Sequence, residues 1–264
     1  MSEAMGKRVF AIAAHPDDIE FMMAGTLVRL GRAGYEIHYM TVANGNCGSD
    51  RLDGDTIARV RRQEAMDAAA SIGAVYHESL VNDLEILYDL ATLRRLGAVM
   101  REVAPQIVLT QSTQEYMEDH SNTTRLVLTA AFARGMPNFA VDPPRPAVDQ
   151  PVTVYHAMPY GLHDPLRRRV YPDTYVDVGA VMAVKRDMLA RHKSQKEWLD
   201  VSQGMDSYLQ IMEDMCGEVG RMSGRYAYAE GWTRHLHLGF CGEEDDPLAE
   251  ALAEGVFVTQ EQPR

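Results

Sequence analysis

Cysteine is scarce in this 264-residue chain: Cys47, Cys216 and Cys241 are its only thiols. Three scattered thiols build no disulfide framework, and the lack of a C-x-x-C pair argues against a thiolate zinc site. That usage points to a reducing cytoplasm. Positive charge is the minority sign. Lys and Arg number 26 against 38 Asp and Glu, giving a formal net charge of -12. The summed field therefore repels phosphate backbones and argues against a nucleic-acid partner. No apolar run reaches the roughly 18 residues of a membrane helix, and Met1 to Lys7 lacks the apolar stretch of a signal peptide. A soluble protein without a membrane partner is expected. The G-x-G-x-x-G fingerprint and the P-loop Lys-Ser/Thr are also missing. The stretch Asn44-Gly45-Asn46-Cys47-Gly48 is thus better read as a pocket rim than as a phosphate cradle.

Hydrophobic residues make up 46% of the chain, ample for the core of one domain over residues 1–264. Val9 to Ala14 is a continuous apolar run that stops at His15-Pro16, the pattern of a strand buried on both faces. Gly25 to Ala33 reads as a helix and Ile37 to Val42 as a second strand. Asp55 is the expected cap of a helix from Thr56 to about Ile72. Ala74 to His77 reads as a strand, Leu90 to Val103 as a helix and Ile107 to Thr110 as a strand. A further helix is expected from just after His120 to Ala133. The alternation predicts an α/β, Rossmann-like sandwich with a mostly parallel sheet. Ligands in such sheets bind beyond the carboxyl ends of the strands, where His15, the Asn44 loop and the segment after Thr110 all fall. Residues 137–151 hold five prolines and read as an irregular excursion. Val152 to His156 reads as a strand, Ala180 to Leu199 as one long helix, and the acidic tail from Glu243 as prone to fraying.

The strongest chemical signal is His15-Pro16-Asp17-Asp18, with Glu20, a candidate substrate contact or orienter of the site, two further on. Pro16 suits a sharp exit from a strand. Ionisable groups this dense repel one another or are costly to bury unless a cation organises them. One imidazole and one carboxylate suit zinc, leaving the other carboxylate free to act as a base. A solvated turn is the plain alternative.

Ala14-His15-Pro16-Asp17-Asp18-Ile19-Glu20 resembles the signature of the PIG-L/LmbE-like deacetylases. Arg61-Arg62-Gln63-Glu64, with Ala68, Ala69 and Gly73, is similar to that family's R-x-x-E helix. Asp119-His120 resembles the end of its H-P-D-H element. Lys185, Met188, His192, Ser194 and Gln195 look like its late K-x-x-x-L-x-x-H-x-x-Q stretch, and Glu230-Gly231-Trp232 resembles a terminal E-x-F/W element. The resemblance implies one zinc ion held by His15, Asp18 and His120, with Asp17 as the general base for a metal-bound water. Three protein ligands leave zinc an open position, and an adjacent carboxylate can take the water's proton.

Other residues carry two readings each. His120 is a ligand or a polar helix-start residue. Asp119 is a helix cap or the orienter of a histidine. Arg61 reaches a pocket to hold substrate hydroxyls or a carboxylate, or pairs with Glu64 on a surface. Asp83 matches a family position that often contacts sugar hydroxyls, or sits in a turn. His192 shares a helix face with Gln195 and looks into the site, or is structural. His156 and His163 are expected on a substrate-side loop. His235 and His237 alternate as one face of a strand or, less simply, form a second metal pair.

One departure stands out. Met117-Glu118 occupies the place of the family's His-Pro, and a thioether can neither donate a proton nor steady an oxyanion. Tyr116, His163 and His192 are the candidate substitutes. The resemblance implies removal of an N-acyl group, foremost acetyl, from an amino sugar or its conjugate, and is compatible with a homo-oligomer. An amidase acting on a non-sugar N-acyl metabolite and a non-catalytic Rossmann-like binding module are the rival readings.

Overall fold

Val9 to Ala13 are fully buried, as a run without polar alternation requires of a strand covered on both faces. They form β1 (Arg8–Ala13), next to β2 (Glu36–Thr41) on one side and β4 (Ile107–Thr110) on the other, parallel to both. The protein is described here by a computed structural model covering residues 6–195 and 207–259. Beyond β2 lies β3 (Val75–His77), and beyond β4 lies β5 (Thr153–Ala157), again parallel. β6 (Thr174–Asp177), β7 (Ala229–Arg234) and β8 (Val256–Val258) then extend the sheet by antiparallel pairing. The order is β3-β2-β1-β4-β5-β7-β6-β8, so the sheet is α/β, with a parallel half and an antiparallel flank.

The two faces of β1 feed different cores. Val9, Ala11 and Ala13 pack with α2 (Ala24–Arg32), α3 (Gly54–Ser71), α6 (Met182–Leu189) and α7 (Ser207–Ser223). Phe10, Ile12 and Ala14 pack with α4 (Leu90–Val103) and α5 (Glu118–Phe132). Successive side chains of a strand point to opposite faces, which accounts for the division.

Several expectations need correction. Asp53, not Asp55, caps α3, accepting from Thr56 N at 2.9 Å. α5 begins at Glu118, placing His120 in its first turn. The helix expected over Ala180 to Leu199 is broken: α6 ends at Leu189, and His192 lies outside any helix. Glu64 explains the restart, since its carboxylate accepts both Ser194 N (2.9 Å) and Ser194 Oγ (2.6 Å), giving that amide a partner outside α6. Residues 196–199 of the expected helix lie outside the described residues, as do residues 1–5 of the start and 260–264 of the tail. Most of the tail is ordered rather than frayed, forming α8 (Pro247–Leu252) and the edge strand β8. β7 stops at Arg234, so His235 and His237 are not strand neighbours. Residues 137–151 are irregular but pinned: Arg101 Nη2 donates to Met136 O (2.7 Å) and Phe139 O (3.0 Å), and Arg134 Nε to Gln150 O (2.8 Å).

Candidate active site

The carboxyl ends of β1 and β4 deliver the central residues. At the end of β1 the chain turns through His15-Pro16-Asp17-Asp18 into α1 (Asp18–Met22). After β4, Gln111 leans across: its Oε1 accepts Ala14 N at 2.9 Å and its Nε2 donates to Asp18 Oδ2 at 3.2 Å. His120, from α5, closes the group. His15, Asp18 and His120 each offer one ligand atom, all within 4.8 Å of one another. Nδ1 of His15 and Nε2 of His120 each lie 3.5 Å from Asp18 Oδ2.

Each imidazole is gripped from behind. Nε2 of His15 lies 2.9 Å from Asp119 Oδ2, and Nδ1 of His120 lies 3.3 Å from Glu115 Oε2. Carboxylates on the far nitrogens fix ring orientation and raise the basicity of the near ones, as around metal-binding histidines. Burial alone would lower the pKa of His15, but Asp119 and Asp18 outweigh it and push it up to about 10. His120 is raised against its burial by Asp18 and Glu115. Burial opposes ionisation of Asp18, yet the two imidazoles hold its carboxyl below the usual range. Two nitrogens and one oxygen converge where positive charge is stabilised, and these residues could hold a divalent metal ion.

Asp17 stands beside this group and outside it. Its backbone has φ 110°, in the left-handed region, strained for a residue with a side chain. The Tyr208 hydroxyl donates to Asp17 Oδ2 at 2.7 Å, and Arg61 Nη2 lies 3.5 Å from the same oxygen. Burial raises the Asp17 pKa, and the Arg61 guanidinium partly offsets this. Arg61 is buried and also donates to Pro16 O. Glu64 is taken by Ser194, so the surface pairing considered for Arg61 is not formed. The Gly-rich loop explains itself here: a Cβ on Gly45 (φ 81°) would come within 2.7 Å of Arg61 Cδ, and one on Gly48 would strike Arg61 Nη1. Asp83 anchors that loop through Gly45 N (2.7 Å) and Cys47 N (3.1 Å).

These groups line a cavity of about 570 Å³ whose apolar wall includes Phe21, Met22, Leu84, Tyr116, Met117 and Tyr160. Asp17, Asp18, Arg61, Asp83, Glu115 and Gln195 also face it. Four residues expected at or near the substrate, Glu20, His156, His163 and His192, do not line it. Glu20 and His192 are fully buried together: Tyr39 Oη donates to Glu20 Oε1 and Oε2 at 3.0 Å, and His192 Nε2 lies 3.2 Å from Glu20 Oε1. His163 is exposed, its Nδ1 2.6 Å from Gly161 O. Of the three substitutes for the histidine absent at position 117, only Tyr116 lines the cavity. His156 sits behind the site, Nδ1 2.9 Å from Gln111 O and Nε2 3.0 Å from His235 Nδ1. Lys185 and Glu230 form a buried ion pair, and Glu230 accepts Gly25 N (2.8 Å) and Thr26 N (2.7 Å) at the start of α2. Trp232 Nε1 donates to Thr26 Oγ1 at 3.0 Å. Lys185, Glu230 and Trp232 of the late motifs therefore brace α2 behind the site, whereas Gln195 faces the cavity. Gln111, Glu115, Tyr160 and Tyr208 were not singled out as site residues, because each is a lone polar or aromatic residue without local pattern.

The chain is similar in sequence and fold to known proteins. Residues 10–131 match the family described as PIG-L, GlcNAc-PI de-N-acetylase. A diacetylchitobiose deacetylase of Thermococcus kodakarensis is 28% identical over 231 residues, covering 85% of this chain and 82% of the relative. A 4-oxalmesaconate hydratase of Pseudomonas putida is 30% identical over 183 residues, covering 66% of this chain and 69% of the relative. Among solved structures, the N,N'-diacetylchitobiose deacetylase of Pyrococcus horikoshii superposes with a TM-score of 0.73 at 22% identity, over 89% of this chain and 85% of that one.

Proposed function

Because the chain belongs to the PIG-L (GlcNAc-PI de-N-acetylase) family, we propose that it is a zinc-dependent hydrolase removing an N-acyl group, foremost acetyl, from an amino sugar or its conjugate. The observation that carries this reading is the convergence of His15, Asp18 and His120 within 4.8 Å, with the separate carboxylate of Asp17 beside them. Two imidazole nitrogens and one carboxylate oxygen are the donor chemistry of a three-ligand catalytic zinc site. When bound, zinc lowers the pKa of water to about 7 and draws electron density from an acyl carbonyl. The protein's own part is proton handling and orientation. Asp17, held by Tyr208 and Arg61, accepts the proton of the attacking water and returns it to the departing nitrogen. Gln111 fixes Asp18, while Asp119 and Glu115 fix the two rings. Arg61 and Gln195 line the same cavity as the aromatic side chains of Phe21, Tyr116, Tyr160 and Tyr208.

Metal analysis of wild type, His15→Ala and His120→Ala tests the ligand set; equal zinc in all three preparations would sink it. A panel of N-acetylated amino sugars assayed for free amine tests the reaction. Asp17→Asn should keep its zinc and lose about 100-fold or more in kcat, because an amide cannot accept the proton.

A second reading has one observation in its favour. Met117 occupies a cavity position where the family carries a histidine able to protonate a leaving amine. Adding water across a carbon–carbon double bond expels no amine, and the Pseudomonas relative is a hydratase. Loss of alkene absorbance on an unsaturated carboxylate, with no amine released from any amide, would select hydration.

A further inference from the structure

Two neighbouring carboxylates leave the same turn, yet only Asp18 joins the donor atoms within 4.8 Å. Asp17 turns its Oδ2 toward the Tyr208 hydroxyl, 2.7 Å away, with Arg61 Nη2 3.5 Å from the same oxygen. A residue with a side chain holds φ 110° only where its surroundings enforce it. The enforcing groups are visible. Arg61 binds Pro16 O, the carbonyl just before Asp17. Tyr208 is 4% exposed, and its ring lies 5.7 Å from that of Phe21. The hydroxyl is thus fixed in place by packing, by a helix 191 residues further along the chain.

Carboxylate oxygens are ordinary zinc ligands, and catalytic zinc sometimes expands from four partners to five. A second carboxylate one residue from a ligand would join the ion unless something held it back. We infer that Tyr208 is a positioning residue that keeps Asp17 off the metal, so that the carboxylate remains a base and does not become a fourth protein ligand. The inference rests on the zinc site and base proposed above. It adds a residue that neither the family match nor the metal cluster assigns. Phe in place of Tyr208 removes one oxygen and leaves the packed ring, which isolates the hydroxyl from the fold.

The test is a zinc titration against a chromophoric chelator for wild type, Tyr208→Phe, Asp17→Asn and the double variant. Tyr208→Phe is expected to bind zinc about 10-fold more tightly, and the gain is expected to vanish in the Asp17→Asn background. Unchanged or weaker binding by Tyr208→Phe, or a gain that survives Asp17→Asn, overturns the inference. Crystals of zinc-loaded Tyr208→Phe give a second readout, with an Asp17 oxygen expected about 2.0–2.2 Å from the ion. An Asp17 carboxylate left in its original place would count against the idea equally. Failure of the base reading shows separately, as near-normal turnover by Asp17→Asn, whichever way the titration falls.

Discussion

Asp119 Oδ2 lies 2.9 Å from Nε2 of His15 and accepts Leu84 N at 2.7 Å. One carboxylate oxygen thus ties a ring from the end of β1 to the loop after β3, and the ring cannot turn without breaking that contact. Asp119→Ala should weaken zinc binding about 10- to 100-fold while the chain stays folded, as loss of a ligand's outer partner does. Chelator competition measures it. Wild-type affinity in that variant would make Asp119 a loop anchor and nothing more.

The legibility of the site follows from how each residue is carried. His15, Asp17 and Asp18 were readable because three ionisable groups in four positions are hard to explain without a cation. The strand before them was readable because buried parallel strands are apolar throughout. His120 needed the family resemblance, since a lone histidine at a helix start carries no pattern. Tyr208, Gln111 and Glu115 were invisible, because their meaning arises only where strand ends and α7 converge. His192 misled for a physical reason. Its spacing from Lys185 and Met188 marks an inward face, and an inward face packs against core or lines a pocket with the same periodicity.

Gly48 abuts the Arg61 guanidinium so closely that an added methyl would displace it. Gly48→Ala should therefore move Arg61 from Pro16 O and Asp17, lowering kcat roughly 10- to 100-fold, the scale on which small misplacements in a reaction site act. Zinc content should be unchanged, since Arg61 is not among the donors. Amine-release kinetics alongside metal analysis check this, and full activity would remove the loop from any role in the chemistry.

Lys185 and Glu230 are both buried; Glu230 also accepts Gly25 N and Thr26 N, and Lys185 Nζ also donates to Phe21 O at 2.9 Å. Removing the carboxylate leaves a buried ammonium with one neutral carbonyl and no counter-charge, whereas removing the ammonium leaves a carboxylate that still accepts two amides at the start of α2. Glu230→Gln should cost about 3–5 kcal/mol and Lys185→Met less. The double variant should recover part of the Glu230→Gln loss. Denaturant unfolding of the three proteins decides it; if Lys185→Met is the more damaging single change, the asymmetry is misread.

One buried and one half-buried histidine set an acid limit. His77, against His38, and His156, against His235, are both lowered to about 4, chiefly by burial. The unfolded chain titrates its histidines near 6.5. Below that pH the unfolded state takes up protons that the folded state refuses. The stability from keeping these rings neutral is therefore complete above about pH 6.5 and drains away as pH falls toward 4. Each ring contributes a slope of at most about 1.4 kcal/mol per pH unit, less for the part-exposed His77. Most unfolded-state carboxylates are already ionised above pH 5, so the interval from 5 to 6.5 reports on histidine. His15, His120 and His192 are raised instead, a contribution of opposite sign that fades as pH rises past about 6.5, so the difference between wild type and His156→Gln isolates the one ring. Urea unfolding at pH 7, 6 and 5 should show stability declining for wild type and a flatter decline for His156→Gln. Parallel lines for the two proteins would mean that His156 is not held neutral by its surroundings.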